Sequence, residues 1–259
     1  VGLVPWIFFT TCIQAGSVSV VANKDLVKKI YFPRIVLPIA TVNAAFMNMV
    51  YTMLPNVSQQ TKDKLGKDVL DLSEKYGKAA ENISESMYQA LSAGVSTNDV
   101  RGFLDVAQQA TIASGLNDTA IAVDGISSVV NAFGKENINA QKASDLMFTA
   151  VRKGKTTFGE MAGSIAQVSP IASSLGVQFS DLTAVVATMT AKGTPTSETM
   201  TQMKAAFSEF SKSSSKASQE FKKATGKSFK DFIAQGGNLQ TAMQALDQHA
   251  QKSGKNINE

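Results

Sequence analysis

The sequence predicts an all-α fold: a bundle of short amphipathic helices, preceded by an apolar helical segment of membrane type. Three observations carry this. Apolar residues recur at i, i+3, i+4 and i+7 beyond Ser84, and no alternating pattern of comparable length competes. Glycines at 94, 115, 134, 154, 176 and 193 lie 17 to 22 residues apart and cut that region into helix-length pieces. Val1–Leu54 holds only five charged residues (Lys24, Asp25, Lys28, Lys29 and Arg34), whereas charges come every few residues after Pro55. The seam divides the 259 residues into an apolar segment, 1–55, a connecting helix, 56–83, and a helical core domain, 84–259.

Within the first segment, Ile35–Leu54 is an uncharged run of 20 residues. As a helix rising about 1.5 Å per residue it spans about 30 Å, the thickness of a bilayer's hydrocarbon core. Pro38 falls in its first turn, where a missing N–H costs little, and Asn43 and Asn48 are residues that pair inside helix bundles. Val1–Ala22 is also uncharged but richer in Thr, Ser, Gln and Gly, and makes the weaker span; its Pro5-Trp6 suits an interface or helix end. The basic loop between the two runs, Asn23–Ile30, would face the cytoplasm by the positive-inside rule. A buried hairpin of a soluble protein accounts for the same runs, but span length favours the membrane. No basic n-region precedes the first run, so a signal peptide fits poorly. A chain that opens on Val1 rather than Met is expected to be a fragment or a processed product.

In the core domain several glycines are followed at once by an apolar residue (Val95, Leu116, Val177) and then by Ser, Thr, Asn or Asp. This is the pattern of a helix ended by a left-handed glycine, with the apolar residue packing back and a new N-cap beginning the next helix. Thr157-x-x-Glu160 and Ser228-x-x-Asp231 read as capping boxes, and Pro195 suits a first helical position. The stripes are Val100/Phe103/Leu104/Ala107, Phe158/Met161/Ala162/Ile165, Leu182/Val185/Val186/Met189 and Leu239/Ala242/Met243/Leu246. Each gives its helix one face to bury. The expected helices are about 12–18 residues long, or about 18–27 Å.

Charge and residue types exclude much chemistry. The first 55 residues carry four cations and one acid, and the remaining 204 carry 21 and 20, with the signs interspersed. That is a solvated surface rather than a footprint for phosphate, so no specific nucleic-acid binding is expected. Cys12 and His249 are the only residues of their types, which rules out an intrachain disulfide, a Cys/His zinc site and any histidine-based triad without His249. His249 reads as an exposed helix residue. Gly154-Lys155-Thr156 and Gly226-Lys227-Ser228 imitate the end of a phosphate loop, but Thr149 and Phe221 stand where that loop needs glycine. Met87, Phe133, Met147, Phe148, Phe207 and Phe210 have helical spacing and read as core. No acid pair stands out. The sequence therefore assigns no catalytic, cofactor-binding or metal residue, and no enzyme is expected.

Two resemblances bear on function. Ile83–Gly94 (ISESMYQALSAG) is similar to the opening of the core region of phage tail tape measure proteins. Gly154–Met161, Val168–Gly176 and Met189–Glu198 extend the likeness. Beyond the Ser/Lys-rich stretch Ser211–Ser218, Gly236-Gly237-Asn238-Leu239 followed by Ala245-Leu246 continues it, for a total of about residues 65–253. The resemblance implies a structural protein: a long helical chain that sets tail length as tube subunits stack around it, and leaves the tail at DNA delivery. It implies tail tube subunits and tail assembly chaperones as partners, and the virion tail as location, after assembly in the host cytoplasm. Separately, Gly2–Phe9, Val21–Lys29 and Tyr31–Pro38 resemble the permease subunit of ABC-2-type exporters of the polysaccharide and teichoic-acid branch, over residues 1–51. That likeness implies a membrane contact through residues 1–54 and an ATPase subunit as partner. The alternative function is thus a permease fragment of a polysaccharide exporter, and a chimeric reading frame would account for both likenesses.

Overall fold

The computed structural model describes residues 3–22, 38 and 58–253. Among them the chain forms thirteen helices and no strand, as the periodicity requires. It divides into two compact units, 1–102 and 103–259.

In the first unit, α1 (Leu3–Ala22) is a 20-residue uncharged helix. Among the described residues no helix is long and apolar enough to cross a membrane; in α1, Thr10, Thr11, Gln14, Ser17 and Ser19 dilute the apolar character. The other expected span, Ile35–Leu54, lies outside the described residues except for Pro38, so the membrane-type reading of the first 55 residues gains no support. The next helix, α2 (Gln59–Tyr76), starts where the Thr61 N–H donates to the Ser58 hydroxyl and stops at Gly77, whose φ of 62° turns the chain left-handed. It buries Leu65, Val69 and Leu72 and packs on α3 (Ala80–Ser92), which buries Ile83, Met87 and Ala90. Asp68 lies on the buried stripe of α2 and accepts from Arg101 Nε at 3.1 Å. The α4 helix (Val100–Ser114) spans the boundary between the units.

The second unit continues with α5 (Thr119–Phe133), α6 (Ala140–Lys153), α7 (Phe158–Ile165), α8 (Ser169–Ser174) and α9 (Phe179–Ala191). It closes with α10 (Thr196–Ser211), α11 (Lys216–Thr225), α12 (Phe229–Ala234) and α13 (Leu239–Ser253). Two helices organise the packing. The first, α5, lies against α6, α7 and α8, and the second, α10, touches α7, α8, α9, α11 and α12. A further pair, α6 and α9, packs together, and α13 closes on α11 and α9. Sequence neighbours are therefore not the main partners, and the unit is interlocked rather than a simple string of hairpins.

The predicted stripes form its core. Leu104, Ala107, Phe158, Met161, Ala162, Ile165, Leu182 and Val186 are all buried. Met243 departs from expectation at 53% exposure.

Five of the six predicted glycine stops take positive φ: Gly94, Gly115, Gly134, Gly176 and Gly193. At Gly176 the Val177 N–H reaches back to the Ala172 carbonyl at 3.0 Å, and Val177 is buried, as a Schellman closure demands. Gly154 does not fit the rule. Its backbone is extended, with φ −110° and ψ −173°, so α6 ends there for another reason, given below. Pro195 is the N-cap of α10 rather than its first residue: Thr196 begins the helix, and the Thr199 N–H bonds the Pro195 carbonyl at 2.9 Å.

Candidate functional site

The link between α6 and α7, residues 154–157, is tied to two later helices. A Cβ on Gly154 would stand 2.9 Å from the Ala187 backbone and closer still to Thr190 Oγ1. Glycine is needed here for close approach, not for handedness. The approach lets the Lys155 N–H donate to Thr190 Oγ1 at 3.1 Å. Next, Thr156 Oγ1 and Thr196 Oγ1 share a hydrogen bond of 2.7 Å, and Thr196 Oγ1 lies 3.2 Å from Glu160 Oε2. Glu160 closes the capping box on α7: its carboxylate accepts from the Thr157 N–H, and its own N–H donates to Thr157 Oγ1, both at 3.1 Å. One carboxylate thus caps a helix and clasps α10. The groups satisfy one another, so the clasp holds structure and presents no reactive atom.

The phosphate-loop look-alikes are accounted for in the same way. The Lys155 amide that such a loop would aim at phosphate is spent on Thr190. Gly226, with φ 74°, ends α11, and the Ser228 hydroxyl accepts from the Asp231 N–H at 3.2 Å to cap α12. That second capping box is not reciprocal: the Ser228 hydroxyl donates to the Asp231 carboxylate at 2.6 Å.

The Met and Phe residues are core or core-edge packing. Met87, Met147 and Phe207 are buried; the Phe133 ring packs at a tilt against Phe179 at 5.4 Å, and Phe148 likewise against Phe158 at 4.8 Å. Phe210 joins Phe221, Phe229 and Phe232 in a cluster of four rings, lying almost parallel to Phe229 at 4.6 Å. Beside this cluster an open cleft of about 420 Å³ is walled by α8, α10, α11 and α12. The sequence reading singled out the Ser211–Ser218 stretch only as Ser/Lys-rich; the helices that meet it in space bring the rest of the cleft.

Neither lone side chain is poised for chemistry. His249 is half-buried rather than exposed, with Nε2 3.6 Å from Glu220 Oε2. Burial pushes the Cys12 thiol above its ordinary range, and the Glu81 carboxylate adds to the shift, the opposite of what a nucleophile needs. Among the described residues no three His, Cys, Asp or Glu side chains converge as metal ligands.

The second unit is an interlocked set of short helices, and comparison with known proteins gives the chain a family. The chain belongs to the phage-related minor tail protein family, whose model matches residues 66–258. It is similar to a probable tape measure protein of Clostridium phage phiCD119, at 32% identity over 136 residues, 51% of this chain and 14% of that protein. It is also similar to a tape measure protein of Pneumococcus phage Dp-1, at 26% identity over 149 residues, 55% of this chain and 12% of that protein. The chain therefore spans only about a seventh or an eighth of the length of these curated relatives. No solved structure matches it. The family match begins at residue 66, and the exporter resemblance of residues 1–51 gains no support from it.

Proposed function

We propose that this chain is a segment of a tape measure protein, a structural component of the phage tail that sets tail length during assembly and leaves the tail at DNA delivery. The family match across residues 66–258, joined to relatives named as tape measure proteins, carries this reading. On this reading the chain is non-enzymatic and sits in the virion tail, with tail tube subunits and tail assembly chaperones as partners. An in-frame deletion of the second unit from the encoding phage tests it. Electron micrographs should show shorter tails; tails of unchanged length would refute the reading.

The exporter alternative is not favoured, because nearly three quarters of the chain matches the tail family. We assign residues 1–55 to a separate apolar segment, 56–83 to a connecting stretch and 84–259 to the core domain. Tryptic digestion of purified virions checks whether the apolar segment is part of the tail protein. Cleavage after Arg34 and Lys62 releases Ile35–Lys62, and its presence in virions is the expected result. Virions that yield only peptides from beyond Lys62 would assign the leader elsewhere.

A further inference from the structure

We propose that the cleft between α8, α10, α11 and α12 binds an acidic, partly apolar polypeptide segment of another protein. Charge is the first argument. Between Lys204 and Lys230 the chain carries seven lysines against two acids, Glu209 and Glu220. The rest of the chain beyond Pro55 carries 14 cations against 18 acids. The near-neutral total therefore hides a local cationic face on an otherwise acidic core region.

The lysines of that face divide into two groups. Lys212 pairs with Glu209 at 3.2 Å, Lys223 pairs with Glu220 at 2.7 Å, and Lys227 Nζ donates to the side-chain oxygen Oε1 of Gln235. Lys222 and Lys230, which line the cleft, form no ion pair among the described residues. Nearby carboxylates are already engaged: Asp231 holds the Ser228 hydroxyl, and Glu220 faces Lys223 and His249. Two uncompensated ammonium groups thus border one cleft.

The hydroxyls decide which kind of anion suits it. Ser174 Oγ donates to the Ile171 carbonyl and Ser211 Oγ to the Ser208 carbonyl, each at 2.8 Å. Ser218 Oγ spends its proton on the carbonyls of Glu209 and Phe210, and Ser228 Oγ on Asp231. A serine has one proton and two acceptor sites, so these four of the five lining serines offer acceptors, and Ser213 alone is left able to donate. A free phosphate needs donors all round and would meet unfavourable lone pairs. A peptide brings backbone N–H donors for those acceptors, carboxylates for Lys222 and Lys230, and apolar side chains for Leu175 and Phe210. Phe210 is held in place by its stack on Phe229, so that surface is formed before anything binds. A volume of about 420 Å³ suits a short stretch of chain. The inference stands on the cleft and holds whether or not the parent protein measures tails.

The test uses fluorescence polarisation with a labelled short peptide of alternating glutamate and leucine, titrated with the full chain. Saturable, salt-sensitive binding is expected. The double variant Lys222→Gln/Lys230→Gln should weaken it by about tenfold, while Lys204→Gln/Lys216→Gln, an equal loss of charge outside the cleft lining, should change it by less than about twofold. All four lysines are exposed, and circular dichroism confirms that the variants keep their helices. A peptide with serine in place of leucine should bind more weakly. Equal loss in both double variants, indifference to the leucines, absence of saturable binding, or saturable binding of inorganic phosphate in its place would each overturn the proposal.

Discussion

Gly125 and Gly154 show how a single methyl group limits this fold. Gly125 sits where α5 crosses α7, and a Cβ there would lie 2.5 Å from the Cβ of Ala162 and 2.7 Å from its Cα. Neither contact is with a flexible side-chain end, so a backbone must move. Gly125→Ala is expected to cost about 1–3 kcal/mol, the usual range for overpacking, with Gly154→Ala in the same range. Gly102 is the control: it is helical, exposed and has open space around its Cβ direction. Gly102→Ala should instead stabilise by up to about 1 kcal/mol through helix propensity. Thermal melts of the three variants check both signs, and equal melting temperatures would refute the crossing argument. Gly176→Val tests handedness: φ is +79° there, and a β-branched residue should cost at least about 1–2 kcal/mol, more than an exposed helix substitution. Cys12 should alkylate more slowly than a free cysteine at mildly alkaline pH, since its raised pKa lowers the thiolate fraction; a faster rate would contradict that environment.

At the scale of elements, caps and stripes were legible because they are local. An N-cap side chain and the N–H that donates to it lie three residues apart, as at Ser228 and Asp231, so a short window contains the whole interaction. The Thr157–Glu160 box was readable for the same reason. Its second role was not: Glu160 also accepts from Thr196, 36 positions away. Thr157→Ala should cost about 1 kcal/mol as a lost cap, and Thr196→Val about 0.5–1.5 kcal/mol as a lost hydrogen bond. Both act through one carboxylate, so the double variant should depart from additivity by about 0.5 kcal/mol or more. A strictly additive cycle in denaturant melts would show that the clasp is not a unit.

For the whole molecule, circular dichroism of residues 60–259 should be dominated by helix; a strand spectrum would contradict the architecture. The packing also bears on the proposed ruler. In the second unit α5 lies on α7 and α6 on α9, so its helices fold back on one another instead of running end to end. As one continuous helix, residues 103–253 would span about 230 Å at about 1.5 Å per residue. Deleting them should shorten the tail by clearly less than that if the unit stays folded during assembly. Shortening by the full amount, measured on micrographs, would mean that the unit opens into a single rod inside the tail.

Read alone, the residues determined the helical class, the helix starts at Thr157 and Ser228, five of six glycine turns and the stripes that became core. Each of these depends on side chains within about one or two helical turns of one another, and such proximity is present in the chain before it folds. Tertiary structure alone decided why Gly154 is glycine, that Met243 stays exposed, that Glu160 holds two helices together, and that Ser174, Phe210, Lys222 and Lys230 border one cleft. Those facts join residues dozens of positions apart, brought together by helices whose chief partners are not their sequence neighbours. No periodicity encodes such pairings, because they arise from how buried faces compete for one another once the helices exist.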